Sequence, residues 1–431
     1  MIRLNTKNTK LRYHYLEIEE FLMKLLIIVS SLLVYRMPIS SFSINFTRIF
    51  LIFYIIANII DGFKNTHLSR KYYLLIFSFL LHLIISVFDL LRTNYFEFLL
   101  KLIGNYFVFF SIIIVLLIYG SRGEKQRDTV QRYFVMSSII PIIISAISLL
   151  EFHVLGMIPK LPFSGFIESD LAIYRVGVIF NSYIYRVAGT FSDPSYYGIY
   201  CITIIYTCIY RIARAKNGNM FYWTLLLLNM IMLYFTYSIS SYMTLAITSI
   251  IIYFQKMFKS REVSKKNVYI IIALLVFILS ISLFNEKMIA DNPISSQFSM
   301  RTENKFDLNN PFINDRTVFF QNAFDAFSKN PIIGIGETNL WDYDNYGAIP
   351  VAHNLYLTYL ANGGILFGLL KLFMIIIILY YLREMLFAEH GKYLYVGFIS
   401  ILIINLNYYI FYTDNISVFI ALVLLYANEK L

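Results

Sequence analysis

Long apolar runs alternate with short polar and charged stretches along this chain. A bilayer core of about 30 Å is crossed by a helix of roughly 20 mostly apolar residues. Runs of suitable length predict spans over residues 21–36, 43–60, 72–91, 96–119, 133–155, 196–210, 220–239, 241–255, 268–284, 355–381, 393–411 and 415–428. The pattern therefore predicts an all-α polytopic membrane protein, with about twelve transmembrane helices in a single transmembrane domain over residues 1–431.

Lysine and arginine are concentrated in the N-terminal tail and in every second loop between the predicted spans. Basic loops of membrane proteins are retained in the cytoplasm. The alternation predicts that both termini are cytoplasmic and that two long loops, about 156–195 and 285–352, lie outside. Loops of such length in a compact protein are usually functional or disordered, so we expect these two to form the active-site region.

Composition supports the membrane class. Hydrophobic residues make up 58% of the chain and charged residues 14%, against about 25% charged in soluble domains. The net charge of +10 is explained by the cytoplasmic loops, so no nucleic-acid partner is expected. The two cysteines, Cys201 and Cys208, lie in one apolar run. With no clustered His, Cys and carboxylate ligands in the sequence, we predict neither a metal site nor a cofactor.

The first stretch that carries candidate chemistry runs from Arg186 to Gly198 and opens a predicted span. Ser192 and Asp193 are both suitable helix caps, and Pro194 fits the first helical position. Arg186 would lie at the outer surface beside the exposed amides of a helix start, a combination suited to phosphate. The alternative is an interfacial arginine that extends toward lipid headgroups.

The second stretch predicts a helix over Arg316–Ser328, with Asp315 as a possible cap and Asn330–Pro331 as its end. Gly334 and Gly336 then predict a tight turn. Arg316 stands in the first turn of this helix, where the dipole favours acids. Either an anionic ligand or a pairing with Asp315 would account for it.

The third stretch begins with His353 and Asn354, where the second long loop returns to the membrane, and continues to Gly363, Gly364 and Gly368. Histidine can accept a proton near neutral pH, although a single histidine is more often structural. The glycines allow helices to approach closely. Further on, Lys371 lies deep in an apolar run. It is either a functional group or a residue near the inner end of a tilted helix.

Taken in order, these stretches resemble the O-antigen ligase and polymerase family, which includes Wzy-type polysaccharide polymerases and lipopolysaccharide O-antigen ligases. The resemblance is carried by R-x-x-G-T-F-x-D-P-x-x-x-G from Arg186, by R-x-x-x-x-x-x-A-x-x-x-F-x-x-x-P-x-x-G-x-G from Arg316, and by H-N-x-x-L-x-x-x-x-x-G-G-x-x-x-G from His353. It covers residues 180–370, and the remainder only through the number of spans.

The resemblance implies a metal-independent glycosyltransferase on the outer face of the bacterial cytoplasmic membrane. The donor would be a glycan on polyprenyl pyrophosphate, and a hydroxyl of a second glycan would attack the anomeric carbon with inversion. Arg186 and Arg316 would bind the pyrophosphate, and His353 would act as the base or position the acceptor. The implied partners are the lipid-linked donor and acceptor, membrane lipid, a chain-length regulator and a flippase.

Further substrate-binding candidates lie within or beside these motifs, namely Asp193, Glu337 and Asn354. Many ligase-like members carry a Ser-Arg-Gly stretch where one span meets the outer surface, whereas the matching segment here, Tyr237–Met243, has no arginine. Arg175 or Arg301 from the long loops would then replace it.

This departure favours a polymerase of lipid-linked repeat units over a ligase that transfers finished glycan to another acceptor. A lipid-linked glycan flippase is the alternative from another class. Transporters usually have related halves and polar sites at the midplane of the membrane. This sequence has no matching halves, and its polar candidates lie at the predicted outer surface.

Overall fold

The computed structural model describes residues 5–39, 42–60, 70–93, 95–157, 159, 176–179, 182–215, 220–260, 315–340 and 353–427. In this part of the chain the α-helices are α1 (Asn5–Val29), α2 (Phe46–Ile60), α3 (Tyr73–Phe88), α4 (Phe96–Gly120), α5 (Glu124–Met136), α6 (Ile139–His153), α7 (Pro194–Arg214), α8 (Met220–Phe235), α9 (Ile239–Ser260), α10 (Asp315–Lys329), α11 (Leu355–Leu382), α12 (Gly391–Ile404) and α13 (Asp414–Tyr426). Short 3-10 helices occupy Arg70–Tyr72, Asp89–Leu91 and Arg383–Leu386.

Two antiparallel hairpins join these helices. Strand β1 (Arg36–Ile39) pairs with β2 (Phe42–Asn45), and β3 (Val176–Ile179) pairs with β4 (Ser182–Tyr185). The first predicted span, 21–36, therefore ends early, because α1 stops at Val29. Beyond it, the backbone amide of Val34 donates to Thr190 O over 3.0 Å. The early part of the chain is thus tied to the segment that precedes α7, and the fold is helical with small strand additions.

Helix lengths and apolarity agree with a membrane protein. Four helical stretches are long and apolar enough to cross a bilayer, namely Tyr73–Leu91, Leu99–Gly120, Glu124–His153 and Leu355–Leu386. Five shorter apolar helices accompany them in the described residues. The count of about twelve spans and their orientation stay predictions. The predicted span 268–284 lies outside the described residues.

The core is built around α7 and α13. Every residue of α13 is buried, from Asp414 to Tyr426, and α7 is buried along most of its length. A helix that is apolar on all sides belongs in the centre of a bundle. Helix α13 packs against α4, α5, α7, α11 and α12, and α7 packs against α8 and α12.

Helix α3 shows the opposite pattern and lies at the edge of the bundle. One of its faces packs on α11 and α4, while large apolar side chains at helical spacing remain exposed, including Tyr73, Phe77, Leu80, Ile84 and Val87. An apolar stripe of this size would be a liability in water. It suits a face turned to lipid.

Helix α11 is broken in its first half. Gly364 has φ 59° and ψ −160°, which interrupts the helical backbone. Residues 331–336, which we call the glycine turn, fill this break. The amides of Ile335 and Gly336 donate to Ala361 O and Asn362 O, over 3.0 and 2.8 Å. In return, the amides of the two residues after the break donate to the turn: Ile365 N to Pro331 O, and Leu366 N to Ile332 O, over 2.8 and 2.9 Å.

Candidate functional site

Arg186 lies against the connection between α8 and α9. Its Nε donates to Thr236 O over 3.3 Å, and the next amide, Val187 N, donates to Phe235 O over 3.0 Å. The guanidinium is therefore placed beside the start of the Tyr237–Met243 segment, where ligase-like proteins are expected to carry an arginine. The sequence alone did not indicate this proximity, because 50 residues separate Arg186 from Thr236.

The start of α7 confirms the predicted cap. Asp193 is the N-cap, its carboxylate accepts from Ser195 N over 2.6 Å, and Pro194 occupies the first helical turn. An acid at a helix N-terminus is favoured by the dipole, so this geometry accounts for Asp193 without a ligand. Its role in substrate binding stays a prediction.

Helix α10 confirms the second motif as a helix. It spans Asp315–Lys329, one residue longer at each end than the prediction, with Asp315 as its first helical residue. It ends before Asn330–Pro331 as expected, and both Gly334 and Gly336 have positive φ. Arg316 stands in the first turn of α10, and its side chain lies outside the described residues.

His353 stands between α10 and α11. It is half-buried, with φ 49°, and its ring centroid is 5.0 Å from that of Phe319. Phe319 follows Arg316 by three residues, about one helical turn. The structure therefore brings the beginnings of the second and third motifs together.

Asn354 is the N-cap of α11 and not only a neighbour of the histidine. Its Oδ1 accepts from Leu357 N, and its Nδ2 donates to Leu406 O, both over 2.9 Å. This capping role was not predicted. Both polar atoms of the Asn354 amide group are engaged, and a contact with substrate stays a prediction.

A segment that the sequence patterns did not single out joins the first and third motifs. We call residues 405–413, between α12 and α13, the tyrosine connection. Leu355 N donates to Asn405 O over 2.9 Å, and Tyr408 and Ser195 share a hydrogen bond of 2.6 Å between their hydroxyls. The starts of α7 and α11 are thus bonded to one segment. The predicted span 393–411 included most of this segment, but α12 ends at Ile404.

Lys371 lies in a buried group of charges. Its Nζ is 2.7 Å from Glu337 Oε1 and 3.6 Å from Asp89 Oδ2. The Lys371 and Asp89 side chains are 0% exposed and that of Glu337 is 1% exposed. Lys371 stands in the middle of α11 and not at either of its ends. It lies seven residues after the break at Gly364, beside the C-terminal end of α3.

An aromatic cluster surrounds these charges. Tyr106 OH donates to Glu337 Oε1 over 3.0 Å and shares a 2.6 Å hydrogen bond with Tyr409 OH. Tyr412 OH bonds His82 Nε2 over 3.3 Å and also Tyr359 OH. The sequence does carry a signal for this cluster, because three tyrosines occur in the tyrosine connection and Asp89 ends an apolar run.

Arg175 and Arg301 lie outside the described residues. Three further predicted site residues fall into two groups. Asp193, through Ser195, and Asn354 are bonded to the tyrosine connection. Glu337 belongs to the buried charge group and is linked to the tyrosine connection through Tyr106. Arg186 precedes Asp193 by seven residues, and its Nε donates to Thr236 O in the α8–α9 connection.

Comparison with known proteins adds one positive finding. Residues 224–370 match a family model described as O-antigen ligase. The matched segment includes the second and third motifs, the glycine turn and Glu337, whereas the Arg186 motif lies before it. No curated protein matches the chain. The match on residues 224–370 supports the assignment of this chain to the O-antigen ligase and polymerase family.

Proposed function

We propose that this protein is a polymerase that joins oligosaccharide repeat units carried on polyprenyl pyrophosphate into a surface polysaccharide. The reaction takes place on the outer face of the bacterial cytoplasmic membrane. One repeat unit supplies a hydroxyl that attacks the anomeric carbon of the other chain, and the lipid pyrophosphate leaves with inversion. The observation that carries this proposal is the joining of the Ser195 and His353–Asn354 helix starts by the tyrosine connection, in a chain that matches the family model.

The chemistry of the residues supports this reaction. The leaving group is an anion, so guanidinium groups can stabilise its developing charge by charge-assisted hydrogen bonds. Arg186 and Arg316 take this role. A neutral imidazole can accept the proton that the attacking hydroxyl loses, and His353 takes this role. The half-buried position of His353, beside the helix that begins with Asp315 and Arg316, is consistent with both assignments.

The position of Arg186 supports the glycosyl-transfer chemistry that a polymerase and a ligase share. The Tyr237–Met243 segment lacks the arginine of ligase-like members, and the guanidinium of Arg186 lies against Thr236 at the start of this segment. Arg186 therefore provides a cation at that place from a different part of the chain. Arg175 and Arg301 stay further candidates.

A ligase is the second candidate, because the matching family model is described as O-antigen ligase. The two reactions share the donor and differ chiefly in the acceptor. In the ligase reaction, finished polymer would leave its carrier and be joined to a different molecule.

The length of the glycan on the lipid carrier separates the two candidates. Cells that lack the protein are compared with cells complemented by the intact chain, and the carrier-linked glycans are extracted and sized. Single repeat units without long polymer would support the polymerase. Long polymer retained on the carrier would support the ligase. Unchanged carrier-linked and surface glycans would contradict both.

A further inference from the structure

Four charged side chains meet at the glycine turn. Lys371 contacts Glu337 and Asp89, and Asp89 Oδ1 lies 3.2 Å from Arg92 Nη1. The two acids and two bases balance in charge. Removing ions from water is costly unless they are paired with good geometry. Each buried charge is therefore stabilised by its partners, and loss of one partner should destabilise the charges that remain.

These charges hold the glycine turn at its middle and just after its end. At the middle, Arg92 Nη2 donates to Ile333 O over 3.0 Å and also to Gly334 O. After the end, Lys371 binds Glu337, the residue that directly follows the turn. The turn also forms backbone hydrogen bonds across the break in α11. It is therefore fixed both by the backbone of α11 and by side chains from α11 and from the end of α3.

A hydrogen-bonded path leads from Glu337 to the proposed site. Tyr106 on α4 donates to Glu337 and bonds Tyr409. Tyr409 belongs to the tyrosine connection. The carbonyl oxygens of Asn405 and Leu406 in this segment accept hydrogen bonds from Leu355 N and Asn354 Nδ2 at the start of α11. A displacement of Glu337 would therefore reach the segment that holds the two helix starts.

We propose that Glu337 and Lys371 are positioning residues, which seat the glycine turn and through Tyr106 hold the tyrosine connection in the arrangement needed for glycosyl transfer. The assignment of a reaction to this arrangement rests on the proposed function. Glu337 is almost fully buried and its Oε1 accepts from both Lys371 and Tyr106. In this proposal Glu337 positions other segments of the protein and does not contact the substrate, in contrast to the sequence-based expectation that it binds substrate.

The kinetic test uses the full-length protein in detergent or nanodiscs, with lipid-linked repeat units as substrate. Glu337→Gln and Lys371→Met each leave the buried group with a net charge, since Glu337→Gln leaves Lys371 with only Asp89 as its acid partner and Lys371→Met leaves Glu337 without its cation, whereas the double variant restores neutrality. We expect each single variant to lower kcat by about tenfold or more, with KM changed by less than about twofold. The double variant should recover at least about a third of the lost rate, because no charge of this pair is then left without its partner.

A substrate-binding role predicts a different result. If Glu337 contacts the glycan, Glu337→Gln should raise KM, and adding Lys371→Met cannot restore activity. That outcome would overturn the proposal. Glu384→Gln is the matched control, because the Arg383–Glu384 pair is exposed, at 57% and 74% for the two side chains. It should leave kcat and KM unchanged.

A labelling test needs no enzymatic activity. Leu340, just after the glycine turn, is 4% exposed, and the native Cys201 and Cys208 are both 0% exposed. A cysteine introduced by Leu340→Cys should react slowly with a soluble maleimide. Adding Glu337→Gln should speed its reaction by about tenfold, and adding Lys371→Met as well should slow it again.

The two tests fail in different ways. Equal labelling rates with and without Glu337→Gln would show that the pair does not seat the turn, whatever reaction the protein catalyses. Restored protection in the double variant, together with no glycosyl transfer by the unchanged protein, would support the seating of the turn and reject the proposed function.

Discussion

The backbone of His353 adopts a left-handed conformation, with φ 49°. Residues other than glycine rarely do so, and such conformations persist only where the surrounding structure enforces them. Here the enforcement comes from Phe319 on one side and from the Asn354 cap on the other. The imidazole is consequently held at one place between α10 and α11.

Replacing the imidazole should abolish activity without unfolding the chain. Asparagine tolerates the left-handed conformation better than most residues, so His353→Asn should insert and fold normally. Loss of a general base typically lowers the rate by about 10²–10⁴-fold. We expect polymer formation in cells to fall to the level of the deletion strain, measured by glycan sizing.

His390→Asn is the matched control, since His390 is a partly exposed histidine just before α12. It should give normal polymer. Normal polymer from His353→Asn would remove His353 from the catalytic assignment.

Gly334 illustrates a site where a single methyl group is not tolerated. It has φ 66°, and a Cβ there would overlap the backbone of Asn362 and Gly364. Gly334→Ala should lower the free energy of unfolding by about 3 kcal/mol or more, through strain and steric overlap. Thermal unfolding in detergent measures this effect.

Gly104→Ala provides the comparison. Gly104 lies inside α4, and the position that an alanine methyl group would take there has no neighbouring atom within 4 Å. Alanine should therefore stabilise the helix by about 0.5–1 kcal/mol. Equal unfolding temperatures for the two variants would contradict the close packing of the glycine turn against α11.

At the scale of elements, the tyrosine connection holds two helix starts by a small number of hydrogen bonds. The bond between Tyr408 and Ser195 fixes the start of α7. The bonds to Asn354 and Leu355 fix the start of α11. One short segment therefore fixes the relative positions of the starts of two helices that are distant in sequence.

A double-mutant cycle tests the hydrogen bond between Tyr408 and Ser195. Tyr408→Phe and Ser195→Ala each remove one side of the hydrogen bond, and each should cost about 1 kcal/mol of stability. The double variant should cost little more than either single variant, because the same bond is lost. Additive losses in thermal or denaturant unfolding would mean that the two hydroxyls do not interact.

Local signals predicted several elements well. The cap at Asp193, the helix from Arg316 and its end before Asn330–Pro331 all follow from residues within one or two turns of each other. At Gly363 and Gly364 the sequence predicts close approach of helices, but not the break in α11. Its cause is the glycine turn, which bonds to α11 from about thirty residues earlier in the chain, and periodicity cannot report such contacts.

At the scale of the whole molecule, apolar runs predicted the class of protein but not the contacts of its buried charges. Lys371 was conspicuous in the sequence, whereas its partners Asp89 and Glu337 come from the end of α3 and from the segment after α10. Hydropathy defines which residues avoid water, while the pairing of buried charges depends on how the helices assemble. The sequence therefore indicated one member of the buried charge group, Lys371, but not the partners that it contacts.

The predicted orientation can be tested on the intact chain. Reporter domains fused to the N-terminus and to the C-terminus should both be active in the cytoplasm, because basic residues are concentrated in the corresponding loops. A cysteine replacing Pro159, in the first long loop, should react with a membrane-impermeant reagent added outside intact cells. Protection of that cysteine, with labelling only after lysis, would reverse the orientation and place the proposed site inside.

For the proposed reaction, the broken helix has a consequence for how a pyrophosphate-linked donor would be bound. Helix N-termini attract phosphate when their amides are unsatisfied. Here the amides of Ile365 and Leu366 already donate to the glycine turn, and Asp193 supplies a carboxylate at the start of α7. In the proposed reaction, neutralisation of the leaving pyrophosphate would then fall to arginine side chains, whose attraction is screened by mobile ions. We expect donor affinity to decline steeply with ionic strength.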